Sequence, residues 1–537
     1  MDEKNNTTLD ERELQLLEQE RIINAELDAK IAAAHDKFPK AVYFILPNEF
    51  GERFCFYGIK NLMNLYLRTA YGFDAALAKS QVHLFNGLIY LFPLFGAAIS
   101  DSFLGKYHTI IYLSAVYFIG NALLSIFSIN NLIAPYGSYP IWTYLLPIVL
   151  IAMGTGGIKP CVSSHGGDQF LPTQTTLIDR FFSLFYISIN VGSLISQIIT
   201  PYLKERVNCF GQKCFFLAFG FPTLLFGLAV IIFIAGFKYY RIVPPVGEFL
   251  PYKALKTAIY AARRYFKASK QERIAKGHWL KFSEEIVGAE FVEETRLLGK
   301  VIVILSPIIF FWTLYDQKST EWQNQYEKMN HMYFGFINLP TEASTVLNSI
   351  LIILLVPTLT YVVYPFLERR NLRITILNRM VIGYALGIIA FILSTCLQYA
   401  VEANSSSLVK DDKGAAKACP NCLNGTIQFV QFFILSLGEA MLSPTGVQFA
   451  YTQVGRQMKA SSTSIWLLTT AIGNYFVMAL ELGIRTVDSQ IKMWIYIGIA
   501  TFFWCIFVYL GRYWYVHKED EDAARLVNNE VDQSIKA

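Results

Sequence analysis

Glu49-Phe50-Gly51-Glu52-Arg53-Phe54-Cys55-Phe56-Tyr57-Gly58 sets three ionisable side chains inside a mainly apolar segment that runs from Ala41 to Leu67. A charge at membrane depth is expensive, so its default reading is functional. At helical pitch Glu49, Glu52 and Arg53 fall at i, i+3 and i+4 on one face, and Phe56/Tyr57, Lys60 and Asn64 continue that stripe. A helix with one ionisable face and an apolar back lines a wet cavity inside a bundle. The competing reading is a structural salt bridge between neighbouring helices.

The rest of the chain repeats the apolar theme. Of 537 residues, 54% are hydrophobic and only 16% charged, against about 25% charged in soluble proteins. Apolar runs close to bilayer length predict about twelve transmembrane helices, near 40–69, 78–100, 108–129, 142–164, 176–203, 215–237, 301–326, 342–366, 374–400, 425–453, 460–484 and 490–515. The fold class is therefore an all-α membrane protein in two six-helix bundles. The predicted organisation is an acidic N-terminal arm at 1–38, a first bundle at 39–237, a basic linker at 238–300, a second bundle at 301–515 and a tail at 516–537. No cleavable signal peptide is read in the arm, which has no apolar h-region. Its Glu18-Gln19-Glu20-Arg21-Ile22-Ile23 is a weak match to an acidic dileucine-type sorting signal.

The linker carries 13 Lys/Arg against 7 Glu, leaving six net positive charges where the whole chain has +5. Positive charge gathers on the cytoplasmic side, so the linker and both termini are expected inside. The basic character reads as topology and anionic-lipid attraction, not nucleic-acid binding. Loop 401–424 then faces outward with the sequons of Asn404 and Asn424 as glycosylation candidates. Cys209 and Cys214 share another outer loop, and an oxidising side would let them pair, as it would Cys419 and Cys422. A lone Cys-x-x-Cys falls short of a four-ligand zinc site.

Two further blocks carry chemistry. Gly154-Thr155-Gly156-Gly157-Ile158-Lys159-Pro160 fails as a phosphate loop because Pro160 stands where Ser or Thr should follow the lysine. Clustered glycines in a span instead permit close helix approach. Lys159 is left as an isolated cation, with Glu49 and Glu52 as candidate partners. Phe185-Tyr186-Ile187-Ser188-Ile189-Asn190-Val191-Gly192-Ser193 puts an amide, Asn190, in the fifth span.

Together, Glu49–Gly58, Gly154–Phe170 and Phe185–Ser193 resemble the proton-coupled oligopeptide transporters of the major facilitator superfamily, nearest the animal-type branch. The likeness covers roughly 40–515. It implies proton coupling by Glu49, Glu52, Arg53, His83 and Lys159. It implies a peptide pocket lined by Tyr57, Tyr66 and Tyr90, with Asn190 and Asn348 holding the peptide's backbone and amino end and Trp312 and Trp466 forming aromatic side-chain pockets. Glu439, in Leu437-Gly438-Glu439-Ala440-Met441-Leu442-Ser443-Pro444-Thr445-Gly446, would receive the α-ammonium. Asp316 is a candidate gate. Lys60 replaces the family's usual arginine, exchanging a bidentate fork for a point charge, and Phe56 replaces a usual tyrosine. Lys300 occupies a basic position that animal relatives pair with an acid, but Thr360 stands at the partner position here.

Elementary chemistry supports those roles. A zwitterionic peptide needs a cationic and an anionic pole a fixed distance apart, which Lys60 with Lys159 and Glu439 supply from opposite halves. Nothing close in sequence neutralises Glu439, so its desolvation is offset only when a cation or a proton arrives. The plain alternative is a structural pair with a lysine such as Lys318. His83, with an intrinsic pKa of about 6.5, suits loading from a mildly acidic outside.

The reading is a monomeric symporter moving di- and tripeptides with protons, without a cofactor or metal. It would sit in the plasma membrane, or in an endosomal or lysosomal one. A same-fold carrier of nitrate or amino acids and a non-transporting peptide-sensing receptor are the competing functions. Glu439 weighs against an anion carrier. An intramembrane enzyme is disfavoured because no His-x-x-x-His or paired catalytic Asp motif stands out in the spans.

Overall fold

The computed structural model describes residues 38–129, 140–171, 174–209, 211–245, 247, 249–333, 337–338, 341–372, 374–404, 422–454 and 458–515. The acidic arm before 38, Cys419 and the tail from 516 lie outside the described residues.

The first half is six long helices: α1 (Val42–Ala70), α2 (Ala75–Ile99), α3 (Gly105–Phe127), α4 (Trp142–Gly167), α5 (Thr175–Arg206) and α6 (Phe215–Ala235). Between the halves lie α7 (Leu250–Lys267), α8 (Lys270–Lys276) and α9 (Glu284–Val287). The seventh span begins at Ala289 and is broken into α10 (Ala289–Leu305), α11 (Ile309–Tyr315) and α12 (Glu321–Glu327), with 3-10 turns at Ser306–Ile308 and Asp316–Ser319. Then come α13 (Val346–Pro357) and α14 (Tyr364–Arg369), joined by a π turn into one span. Four single-helix spans close the fold: α15 (Ile376–Asn404), α16 (Gln428–Thr452), α17 (Lys459–Gly483) and α18 (Ser489–Tyr509).

Among the described residues, ten helical runs are long and apolar enough to cross a membrane. One of them, Ala75–Phe127, holds both α2 and α3, divided by a π turn and by Gly105 at φ 70°. Helix α1 is absent from the ten, and it is the helix that carries the charged stripe. Counting both gives twelve spans, six in each half.

Local chemistry explains the element ends. Asp74 caps α2 by accepting the Leu77 N–H at 2.7 Å. Ser269 and Glu272 form a reciprocal capping box on α8. Exposed Leu224, Leu228 and Ile231 on α6 form an apolar outer stripe suited to lipid. Each half has its own core. Leu62, Phe85, Ile151 and Phe226 belong to the first, and Leu314, Phe391, Phe432 and Val477 to the second.

Glycine sets the closest helix approaches. Gly96 of α2 meets the backbone of Gly157 of α4, leaving no room for a side chain. In the second half, a methyl group added at Gly383 of α15 would lie 2.6 Å from the Gly438 carbonyl oxygen of α16. The glycine-rich block at 154–157 thus serves helix packing. A short hairpin, Asn208–Cys209 against Gln212–Lys213, links α5 to α6 and holds a Cys209–Cys214 disulfide. Cys422 is also disulfide-bonded.

Candidate functional site

A cavity with an empty volume of about 710 Å³, its open mouth included, lies between the halves. The first half lends it Tyr57, Lys60, Tyr90 and Asn190; the second lends Tyr315, Asp316, Lys318, Asn348 and Glu439. Lys60 comes from the charged stripe of α1. Asp316 and Lys318 come from the 3-10 break after α11, the kind of irregular backbone tolerated at membrane depth where it lines a cavity.

Glu439 is not left without partners. The Tyr315 hydroxyl donates to its Oε1, the Asn348 amide donates to its Oε2 at 2.9 Å, and Lys318 Nζ stands 3.9 Å from Oε2. Lys318 in turn donates to Asn348 Oδ1 at 2.7 Å and sits 3.4 Å from the centre of the Tyr315 ring. The expectation of an unneutralised acid is therefore corrected, because residues remote in sequence supply two donors and a nearby cation. Asn190 also faces the cavity, its amide donating to the Tyr186 carbonyl of its own helix at 2.8 Å.

The charged stripe itself is buried. Arg53 Nε lies 2.7 Å from Glu49 and 3.0 Å from Glu52, and Thr155 of α4 donates to the other Glu52 oxygen. Lys159 does not complete that set. Its ammonium rests 4.6 Å from the ring centres of both Phe56 and Tyr90, a cation–π cradle in place of the expected carboxylate. Arg53 takes the direct contacts with both acids, and Lys159 stands apart from them on the two rings.

Three aromatic expectations are displaced. Tyr66 is fully buried in the first half among Tyr71, Phe215 and Phe219 and does not line the cavity. Trp312 and Trp466 pack edge-to-face at 5.8 Å in the second core, and Trp312 Nε1 donates to Thr469 at 3.1 Å. Neither forms the cavity wall. Tyr315, whose ring lies 5.4 Å from that of Trp312, does.

His83 joins the halves. Its Nδ1 lies 2.7 Å from Asn474 Oδ1 on α17 and its Nε2 3.3 Å from Thr320 Oγ1. The Asn474 amide nitrogen donates to Asp316 at 2.6 Å and to the Thr470 carbonyl. Its oxygen therefore faces His83, and Nδ1 carries the hydrogen. Asp316 also meets Lys60 of α1 at 3.4 Å.

These links belong to a larger latch at the end of the bundle where α1 stops and α2 starts. Asn61 pairs with Gln323 and Thr345, Asn64 with Asn324, and Arg68 with Asn324 and Glu327. Lys79, 2% exposed, lies 3.0 Å from Glu321 and 2.8 Å from Glu481. Glu481 keeps a second cation, Lys492, at 3.1 Å, while Ser489 donates to Glu321. At the rim Arg485 binds Asp74. The Leu77 amide, together with Arg485, holds the Asp74 carboxyl below its ordinary value, so this exposed pair stays charged in mildly acidic surroundings.

The Lys79 group was missed in the sequence. The signal was there, since Lys79, Glu321 and Glu481 are charges at the edges of apolar runs. Asn404 and Asn424 do not line the cavity. Asn404 ends α15 with its amide on the Ala400 carbonyl, and Asn424 Oδ1 caps the Thr426 N–H. Among the described residues no three His, Cys, Asp or Glu side chains converge to hold a metal ion.

Comparison with known proteins assigns the class. Residues 107–495 match the family model described as the POT family, and the chain belongs to that family. It is a multi-pass membrane protein. It is 40% identical over 380 residues to Peptide transporter family 1 of Drosophila melanogaster, covering 70% of this chain and 50% of the relative. It is 38% identical over 375 residues to Solute carrier family 15 member 1 of Oryctolagus cuniculus, covering 68% and 53%. The chain thus spans about half the length of these curated relatives. Among solved structures, the POT family transporter PepTSo superposes with a TM-score of 0.72 at 26% identity, covering 89% of this chain and 98% of that one. An auto-inhibited POT family peptide transporter gives the same score at 27% identity.

Proposed function

We propose that this chain is a proton-coupled symporter of di- and tripeptides that works by alternating access. The observation that carries the reading is the central cavity, where Lys60 from one half faces Glu439 from the other beneath a latch of charges that joins those halves. A peptide's carboxylate suits the Lys60 side and its ammonium the Glu439 side. A ligand held at both poles draws the halves together, and a change of state driven by such differential contact is what alternating access requires. The relatives' names, peptide transporter and solute carrier, agree with this cargo.

The basic linker orients the protein with that linker inside, so the latched end is the outer one and the described state faces inward. Protons are taken by the Glu49/Glu52/Arg53 set and by His83, with Lys159 free to move from its ring cradle to whichever acid loses Arg53. The protein acts as a monomer and needs no cofactor. The test is uptake of a labelled dipeptide into proteoliposomes with and without an imposed pH gradient. Concentrative uptake that requires the inward gradient is expected; uptake indifferent to it, or no uptake, refutes the reading.

A further inference from the structure

We infer that Lys318 is a specificity residue that reads the first side chain of the cargo, favouring an acidic one and excluding a basic one. The inference rests on the peptide reading above and follows from counting charges in the occupied cavity. Lys60, with Asp316 at 3.4 Å, belongs to the other pole and takes the cargo's carboxylate there. An arriving α-ammonium is answered by Glu439. Lys318 remains.

Lys318 shares Glu439, but at 3.9 Å, beyond hydrogen-bond length. Its firm contacts are neutral: the Asn348 amide oxygen at 2.7 Å and the face of the Tyr315 ring at 3.4 Å. Both contacts fix the ammonium beside the carboxylate without discharging it. Asn348 reaches Glu439 with its nitrogen and Lys318 with its oxygen, so one amide sets the spacing of the two charges. Once a peptide's ammonium takes Glu439, Lys318 faces a second cation. The first side chain of a peptide branches from the carbon that bears the ammonium. A carboxylate there meets Lys318 and restores the balance; a lysine or arginine adds a third positive charge in a confined space. Discrimination thus comes from attraction of one class and repulsion of the other. Lys159 and Arg53 are poorly placed for this role, since Lys159 sits against Phe56 and Tyr90 and Arg53 is held by Glu49 and Glu52.

The experiment compares affinities of the purified full chain for Glu-Ala, Lys-Ala, Ala-Glu, Ala-Lys, Ala-Ala and Ala-Ala-amide, for the parent, Lys318→Gln and Lys318→Arg. The parent should bind Glu-Ala at least tenfold more tightly than Lys-Ala. Lys318→Gln should collapse that ratio to about one, a loss of about tenfold or more as expected when one close charge pair is removed, and Lys318→Arg should restore it. The Ala-Glu to Ala-Lys ratio should not follow the substitution. An unchanged first-position ratio in Lys318→Gln overturns the inference. So does an equal collapse at both positions, which marks a general field. Loss of the preference for Ala-Ala over its amide, with the first-position ratio intact, also overturns it and assigns Lys318 to the carboxyl end. Failure of the parent to bind any free dipeptide refutes the peptide reading itself, and this inference with it.

Discussion

Replacing Lys79 by methionine should open the latched end of the molecule. Lys79 is buried between two carboxylates, 3.0 Å from Glu321 and 2.8 Å from Glu481. The substitution keeps the length of the side chain and removes its charge. Glu481 is protected, because Lys492 at 3.1 Å and the Tyr496 hydroxyl at 2.9 Å remain. Among the described residues Glu321 keeps the Ser489 hydroxyl and no cation, so the loss concentrates there. Breaking a buried pair by removing one partner costs about 3–5 kcal/mol. That cost falls on the latched state alone, since separation of the halves exposes Glu321 to water. The equilibrium should therefore move toward a state open at the latched end by about two to four orders of magnitude. Spin labels at positions 73 and 486, on opposite sides of the latch, report the separation by pulsed dipolar spectroscopy. The variant should show a longer distance than the parent, and adding Glu321→Gln should return most of the short-distance population. An unchanged distance distribution in Lys79→Met would refute this account. A fall in thermal stability with the short distance retained would make the network a structural brace and not a gate.

Three further outcomes follow from the site. Glu52→Gln should abolish gradient-driven accumulation while counterflow exchange persists, because the glutamine can still accept from Thr155 but cannot cycle a proton; accumulation equal to the parent's removes Glu52 from the coupling set. His83→Asn should flatten the rise in uptake on acidification across about pH 5 to 8, the range around the intrinsic histidine value. A profile of unchanged shape and lower amplitude would mean that His83 only braces the halves. Glu439→Gln should weaken peptides with a free α-ammonium by roughly ten- to hundredfold, the value of a hydrogen bond to a charged group, and N-acetyl peptides far less; equal losses in both classes would assign Glu439 to structure.

The sequence made the membrane architecture legible because span length is set by the bilayer and a buried charge is conspicuous against leucine and phenylalanine. The stripe on α1 came through for that reason, as did the glycine block, whose packing use is visible at Gly96 and Gly157. The start of the seventh span was obscured, since Glu290, Glu293, Glu294 and Arg296 make the first turns of α10 look like linker. Tyr66, Trp312 and Trp466 were misplaced for a different reason. An aromatic residue in an apolar helix suits a core and a pocket wall equally, and the choice depends on how far each helix is rotated about its axis. The latch was out of reach because helical spacing relates residues three or four apart, whereas Lys79 and Glu321 are separated by 242 positions.

Lys60 belongs to the cargo site and to the latch at once, and on the proposed function this joins binding to gating. Its ammonium lines the cavity and also meets Asp316 at 3.4 Å across the two halves. A peptide carboxylate that engages Lys60 competes with Asp316 for it. Asp316 then retains the Asn474 amide, and Asn474 is the residue that accepts the Nδ1 hydrogen of His83. A proton added to His83 places a positive charge two hydrogen bonds from the acid that the peptide has deprived of its cation. Cargo and proton therefore relieve each other's cost: the peptide frees Asp316 to stabilise a charged His83, and a charged His83 makes it easier for Lys60 to leave. By linkage the coupling is reciprocal, so a proton that raises peptide affinity must itself bind more tightly when peptide is present. A network of uncharged amides alone would couple the two only weakly; Asp316 strengthens the coupling by serving as the shared acceptor.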